Sequence, residues 1–460
     1  VVVTPPPVQQ QVPPPVVSGS QTYYIDYVSG NNANNGTSKT TPWKVHPFMK
    51  GFTGSYSHKA GDRFIFKGGV TWPNSSFQMN ITAGGSSDSV RDYYGVDKTW
   101  YAGSSWARPV FDFENTLISG GGFNSVGLLI NSANYITIDE IDFARYRTPA
   151  VGAGDYGSGT LVLIGSSSNI TIQNCIVRDW SNGGGADGGS GGGIWSFSSG
   201  SGNKVLHCIF HGFNTNIKGG RALSFYGEIG FNEAYDLSTF LMGGGDVHDN
   251  YVHNMKGATD PNNHENAFYI MGVSKLYNNL LHDIDPGSSS YYLEPGFSSP
   301  SGTTMVYNNV AFNVGNDAPI SIETDGQYAA SQNIKIFNNT VEHGVGNCIR
   351  TVLRGSQHIG SLEVANNHCI TTGPAKDFPT ATVTTLTDRG TDIVQTHAQA
   401  ASSGATPTNR YRPTSASSPA INVGLSLPSY FTSDKLGVVR PQSTVWDVGA
   451  YEYQGSGTNP

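Results

Sequence analysis

The segment Ile336-Phe337-Asn338-Asn339-Thr340-Val341 decides the fold, because the chain repeats it. Close copies are Leu276-Tyr277-Asn278-Asn279-Leu280-Leu281, Val306-Tyr307-Asn308-Asn309-Val310-Ala311 and Val364-Ala365-Asn366-Asn367-His368-Cys369. Looser ones are Ile170-Thr171-Ile172-Gln173-Asn174-Cys175-Ile176 and Val247-His248-Asp249-Asn250-Tyr251-Val252, with traces at 136–141, 205–209 and 229–234. Each is an apolar-alternating strand, one or two asparagines, and a second short strand. Leu280, Val310 and Thr340 are spaced by 30 residues, and His368 follows Thr340 by 28. That interval is too short for a strand–helix–strand unit with its turns, and no 3.6-residue periodicity fills the gaps. It suits one coil of three short strands and three turns. The expected fold is therefore all-β: a single-stranded right-handed parallel β-helix. The step from Ala234 to Tyr251 is only 17 residues, so one of the two is expected to be out of register.

Asparagine suits the corner because it tolerates the left-handed backbone conformation and its amide both donates and accepts. Asn174, Asn250, Asn279, Asn309, Asn339 and Asn367 are expected to stack as an internal amide ladder.

The flanking sequence sets the boundaries. Residues 1–21 hold six prolines, three consecutive glutamines and no charge, which excludes helix and central strand. This segment reads as an extended arm, either a linker or a device for docking on a neighbouring subunit. Residues 22–385 read as the β-helix. Residues 386–460 read as a C-terminal capping segment packed on the solenoid, where an open end would expose unpaired strand edges.

Charged residues make up 13% of the chain, about half the usual share, and the net charge is −8 without any basic run. This argues against nucleic acid and anionic membrane surfaces as partners. No apolar stretch approaches the ~18 residues of a membrane span. The chain opens Val1-Val2-Val3-Thr4 without methionine, and the expectation is a secreted or cell-surface protein whose signal peptide has been removed. Cys175, Cys208, Cys348 and Cys369 form no C-x-x-C pair. Cys175 and Cys208 occupy equivalent repeat positions, which fits either a disulfide or two buried thiols.

Three segments carry a resemblance to the secreted right-handed β-helix proteins of the pectin-lyase-like superfamily. Tyr24-Ile25-Asp26-Tyr27-Val28-Ser29-Gly30-Asn31-Asn32 to Thr41-Pro42-Trp43-Lys44 resembles that family's opening strand and cap. Gly61-Asp62-Arg63-Phe64 to Gly69-Val70-Thr71-Trp72 resembles its first coil. Ser418-Pro419-Ala420-Ile421 with Asp447 to Tyr453 resembles its closing segment. Asn32 stands where relatives often carry an acidic residue. The acidic motifs of polygalacturonases and the arginine-centred motif of pectate lyases have no match here.

The resemblance implies a ligand lying along one outward strand column. With Leu293, Ile322 and Ile349 inward, Glu294, Glu323 and Arg350 would point outward in one file. Two chemistries fit. Glu294 and Glu323, ~5 Å apart on adjacent coils, match a retaining glycosidase pair. Alternatively, Glu294, Glu323 and Asp325 would hold Ca²⁺ against a uronate carboxylate during β-elimination, with Arg350 as base or clamp. Arg354 would hold an anionic sugar, and Tyr269, Tyr292 and Trp195 would stack on sugar faces. His253 and His282, 29 residues apart, read as a stacked surface pair rather than metal ligands. The functional expectation is an extracellular protein that binds a polysaccharide and cleaves it as lyase or glycosidase. The alternatives are a structural or adhesive homo-oligomer or filament assembled through residues 1–21, and a non-catalytic glycan-binding module.

Overall fold

Short apolar strands that bury one face and end at a sharp corner stack directly on their copies one coil away, about 4.8 Å apart. In the computed structural model of the chain, the described residues are 13, 15–118, 125–148, 159–181, 192–212, 221–256, 266–284, 290–295, 297, 299–315, 317–324, 327–354 and 356–455. They fall into two compact units that meet in sequence at Ser238 and Thr239. Among the described residues the strands of each unit pair in parallel and form three columns, and the antiparallel contacts are isolated bridges such as Gly424 with Trp446.

In the unit ending at Ser238, the first column contains Leu128–Asn131, Gly159–Ile164 and Gly192–Ser196. The second runs from Thr22–Ile25 through Arg63–Phe66, Asp92–Gly95, Ile136–Asp139 and Ile170–Gln173 to Lys204–Leu206 and the end of Arg221–Gly230. The third includes Val110–Asp112, Asp142–Ala144, Ile176–Arg178 and Ile209–His211. Phe64, Tyr94, Ile138 and Ile172 form one inward file, buried throughout.

In the unit beginning at Thr239, Phe268–Ile270, Tyr291–Leu293, Ile320–Glu323 and Ile349–Val352 build the first column. Lys275–Tyr277, Gly302–Tyr307, Gln332–Phe337 and Ile359–Ala365 build the second. Leu280–Ile284, Val310–Phe312, Thr340–Glu342 and His368–Ile370 build the third. These are the coils of a parallel β-helix.

The asparagine pair divides its labour. Asn278, Asn308, Asn338 and Asn366 take the left-handed corner, with φ of 57°, 55°, 51° and 59°. The following residue enters the ladder. Asn250, Asn279, Asn309 and Asn339 each donate Nδ2 to Oδ1 of the asparagine one coil on, at 2.9–3.0 Å. The series ends at Asp392, whose Oδ1 accepts from the backbone N–H and Nδ2 of Asn367 at 2.6 and 3.1 Å. Asn174 is a correction. It sits at the left-handed corner (φ 53°) and donates Nδ2 to Asp139 at 2.8 Å, while the ladder position beside it is Cys175.

The short step from Ala234 to Tyr251 is only in part the error of register expected from the sequence. Arg221–Gly230 and Thr239–His248 are continuous ten-residue strands that each pair in both the first and the second column, with no separate turn between the two. The strands after the left-handed corners Phe231 and Asp249 begin at Glu233 and Tyr251, so Ala234 lies one residue beyond the position equivalent to Tyr251.

The disulfide joins Cys348 to Cys369, while Cys175 and Cys208 are buried free thiols. The segment after Gln395 follows the flank of the coils. Ala400, Ala405, Tyr411, Ala450 and Tyr451 pack on Tyr251, Leu280, Val310, Phe312 and Ile370, covering the outer face of the third column. It also satisfies the corner asparagines: Asn308 Nδ2 donates to Ser433 O, and Asn338 Nδ2 to Asp447 O. Of residues 1–21, Val17 lies against Gly61 and the backbone N–H of Gln21 donates to Asp62, while residues 1–12 and 14 lie outside the described set. Among the described residues no helix is long and apolar enough to cross a membrane.

Candidate functional site

Two outward files cross the first column of the later unit. In one, Tyr269 is level with Tyr292, then Ser321, Arg350 and Asp377. In the other, two residues further along each strand, Glu294 follows Leu293 and Glu323 follows its partner Ile322, so the two carboxylates stand one above the other. Glu323 in turn is level with Val352.

Arg350 therefore leaves the file that the sequence reading gives it. The inward partner of Leu293 and Ile322 is Thr351, and Ile349 pairs with Ile320. Arg350 donates Nε to Ser321 Oγ at 3.1 Å and forms an ion pair with Asp317. A guanidinium held this way, and charged in nearly every setting, does not serve as a base.

The two glutamates are buried, with Glu294 4% and Glu323 1% exposed. The Tyr269 phenol donates to Glu294 Oε2. Arg354, whose side chain is 59% exposed, donates Nε to Glu323 Oε2 at 2.7 Å. Thr324 fixes the Arg354 backbone: its Oγ1 accepts the Arg354 N–H at 2.9 Å and donates to Arg354 O at 3.1 Å. Tyr269 and Tyr292 meet edge to face, ring centroids 5.0 Å apart, and pack with Met242 and Met271. The tyrosines thus form a floor beside the carboxylates rather than exposed stacking surfaces. Exposed Phe297, Tyr328 and Leu353 follow the carboxylate file in the succeeding turns. Tyr328 carries no signal in the sequence, since it lies in no strand or repeat.

Trp195 belongs to the earlier unit. It is 4% exposed and packed among Val126, Leu129 and Val162, so its ring offers no open face to a sugar. Asp325 lies outside the described residues, and among the described residues no three His, Cys, Asp or Glu side chains gather as a metal site. Asn32 is occupied structurally: Oδ1 accepts the N–H groups of Lys44 and Val45, and Nδ2 donates to Gly51 O.

His253 and His282 stack, centroids 5.6 Å apart, but His282 is buried rather than on the surface. It lies 3.0 Å from the Tyr251 hydroxyl and 2.8 Å from Asp283, and burial lowers its pKa.

The fold is that of the right-handed parallel β-helix proteins. The native GH136 lacto-N-biosidase from Eubacterium ramulus is similar at TM-score 0.54 and 13% identity, over 82% of this chain and 68% of that one. Pectate lyase Pel9A aligns over 95% of this chain and 98% of its own, at 17% identity and TM-score 0.47. A rhamnogalacturonan lyase aligns over 82% and 87%, at 12% identity and TM-score 0.37. No protein-family model and no curated protein matches the chain.

Proposed function

We propose that this chain is a secreted polysaccharide-active protein that hydrolyses a glycosidic bond over Glu294 and Glu323. The observation that carries the reading is the pair of buried carboxylates stacked on adjacent coils of an outward strand face. Stacked strands bring such groups to about 5 Å, the separation of a retaining pair, in which one carboxyl is the nucleophile and the other the acid and then the base. Glu323, charge-compensated by Arg354, takes the nucleophile's part, and Glu294, beside Tyr269, takes the acid's. Exposed Phe297 and Tyr328 would receive sugar rings beside them. The fold it shares with the lacto-N-biosidase is compatible with glycan cleavage. The Cys348–Cys369 disulfide supports an oxidising, extracellular setting.

Hydrolysis is favoured over Ca²⁺-assisted elimination because Arg350 is held by Asp317 and Ser321. The test is a panel of neutral and uronate polysaccharides, assayed for new reducing ends and, separately, for the absorbance of an unsaturated product. Reducing ends without unsaturation are expected. Glu323→Gln and Glu294→Gln should each slow cleavage by about 10²–10⁴-fold. An unsaturated product, or full activity in both variants, would refute the assignment.

A further inference from the structure

A pocket of about 480 Å³ opens on the outer face of the second column of the earlier unit. Its volume lies within the range of roughly 300–1,000 Å³ for small-molecule sites. Two outward files form its floor, Thr22–Arg63–Tyr93 and Tyr24–Ile65–Gly95, the second continued by Asp139, which follows the Tyr94–Ile138 pair. Gly95 makes room for the Tyr93 ring on the floor. A Cβ there would lie 2.4 Å from the Tyr93 hydroxyl, so a larger residue would displace the phenol. That hydroxyl donates to Asp139 Oδ2 at 3.1 Å, and Asn174 Nδ2 donates to Oδ1 at 2.8 Å. The Arg63 guanidinium lies over the Tyr93 ring, 4.2 Å from its centroid. Asp139 is 1% exposed, and burial raises its pKa above the usual carboxylate value.

The wall combines apolar Pro13, Val16 and Val96 with charged residues that are compensated. Lys98 Nζ is 2.7 Å from Glu140 Oε1, whose other oxygen accepts from Trp106 Nε1 at 3.1 Å, and Lys39 pairs with Asp97 at 2.6 Å. An ionic ligand would have to compete with these pairs, and a purely apolar one would make no use of the hydrogen-bonding capacity that Arg63, with five N–H donors, and Asp139, with four lone-pair positions, bring to the floor beyond the bonds already made. The chemistry that remains is a neutral ring bearing several hydroxyls, with a C–H face for Tyr24 and Ile65 and vicinal hydroxyls for Arg63 and Asp139.

We infer that this pocket is a separate binding site for a neutral sugar residue. It stands on its own residues and does not depend on the assignment of Glu294 and Glu323. Saturation-transfer NMR and calorimetric titration of the full chain with lactose, cellobiose, mannobiose and galacturonic acid test it. At least one neutral disaccharide should bind in preference to galacturonic acid. Asp139→Asn should weaken that binding about tenfold or more, equivalent to about 1.4 kcal/mol, and Glu323→Gln should leave it unchanged. If Asp139→Asn does not fold, the part-exposed Tyr24→Ala reads the same site. Failure of all three neutral sugars to bind, equal binding of galacturonic acid, or unchanged affinity in the pocket variants would overturn the inference, as would loss of binding in Glu323→Gln.

Discussion

Asn339 sits in the amide ladder with all of its side-chain hydrogen-bonding atoms engaged, as Asn279 and Asn309 do. Its Oδ1 accepts from the N–H and Nδ2 of Asn309, both at 3.0 Å, and its Nδ2 donates to Val306 O at 2.9 Å and Asn367 Oδ1 at 3.0 Å. Truncation to alanine strands groups on both neighbouring coils, and a buried group left unsatisfied costs about 1–3 kcal/mol. Asn339→Ala is therefore expected to lose about 3–5 kcal/mol, read as a lower denaturant midpoint. His368 makes a complementary prediction. It is fully buried against Gln395 Oε1, 2.8 Å away, and burial lowers its pKa to about 4. The unfolded chain takes up that proton near pH 6.5 and the folded chain only near 4. The stability contributed by the neutral ring is thus complete above pH 6.5, drains as pH falls to about 4, and does not change further below. At about 1.36 kcal/mol per pKa unit the drain is roughly 3 kcal/mol. His46 and His282 shift in the same direction. His368→Gln should flatten the fall in stability between pH 6.5 and 4 in equilibrium denaturation, and an unchanged slope would show that the ring is not what titrates.

Strand register separates what the sequence reveals from what it hides. The paired asparagines were legible because a corner needing positive φ and a buried amide needing partners both select the same residue, coil after coil. The register of Ile349–Val352 was not, because its second inward position is polar. Thr351 is buried with its hydroxyl 2.6 Å from that of Thr382, so apolar alternation alone points to Ile349 and slides Arg350 into the wrong file. Asn174 misled in the opposite way: a lone corner asparagine looks like a ladder member when the next residue is Cys175. The disulfide left no spacing signal, since Cys348 and Cys369 lie in different columns rather than at matched repeat positions. Cys348 adjoins Ile349–Val352 and Cys369 lies in His368–Ile370, 21 positions further along the sequence. Closing a loop of this size contributes about 3 kcal/mol. Reduction, or Cys348→Ala with Cys369→Ala, should lower the thermal midpoint by several degrees. If reductant has no effect on a chain shown by mass to have been oxidised, that link does not stabilise the fold.

The later unit depends on chain far from its coils in sequence, and Arg440 is where that dependence concentrates. Arg440 is buried, and Nη1 donates to Glu452 Oε1 at 2.8 Å and to Asp447 O at 3.1 Å. Nη2 donates to Gly449 O at 2.8 Å and to Asn308 Oδ1 at 3.2 Å, so one guanidinium ties the terminal segment to a corner of the coils. Glu452 accepts as well from the backbone N–H of Asp447 at 2.9 Å. Desolvation opposes both charges, lowering the pKa of Arg440 and raising that of Glu452, so the pair holds because each partner compensates the other. Removing one partner leaves the other charged and buried, which costs about 3–5 kcal/mol; removing both together costs less. Arg440→Met is expected to destabilise strongly and to expose the chain after Gln395 to protease before the strands are cut. Arg440→Met with Glu452→Leu should recover part of that loss. If the double variant is as unstable as the sum of the single ones, the guanidinium acts through its contacts with Asn308, Asp447 and Gly449. Glu452 would then be incidental to holding the segment against the corner.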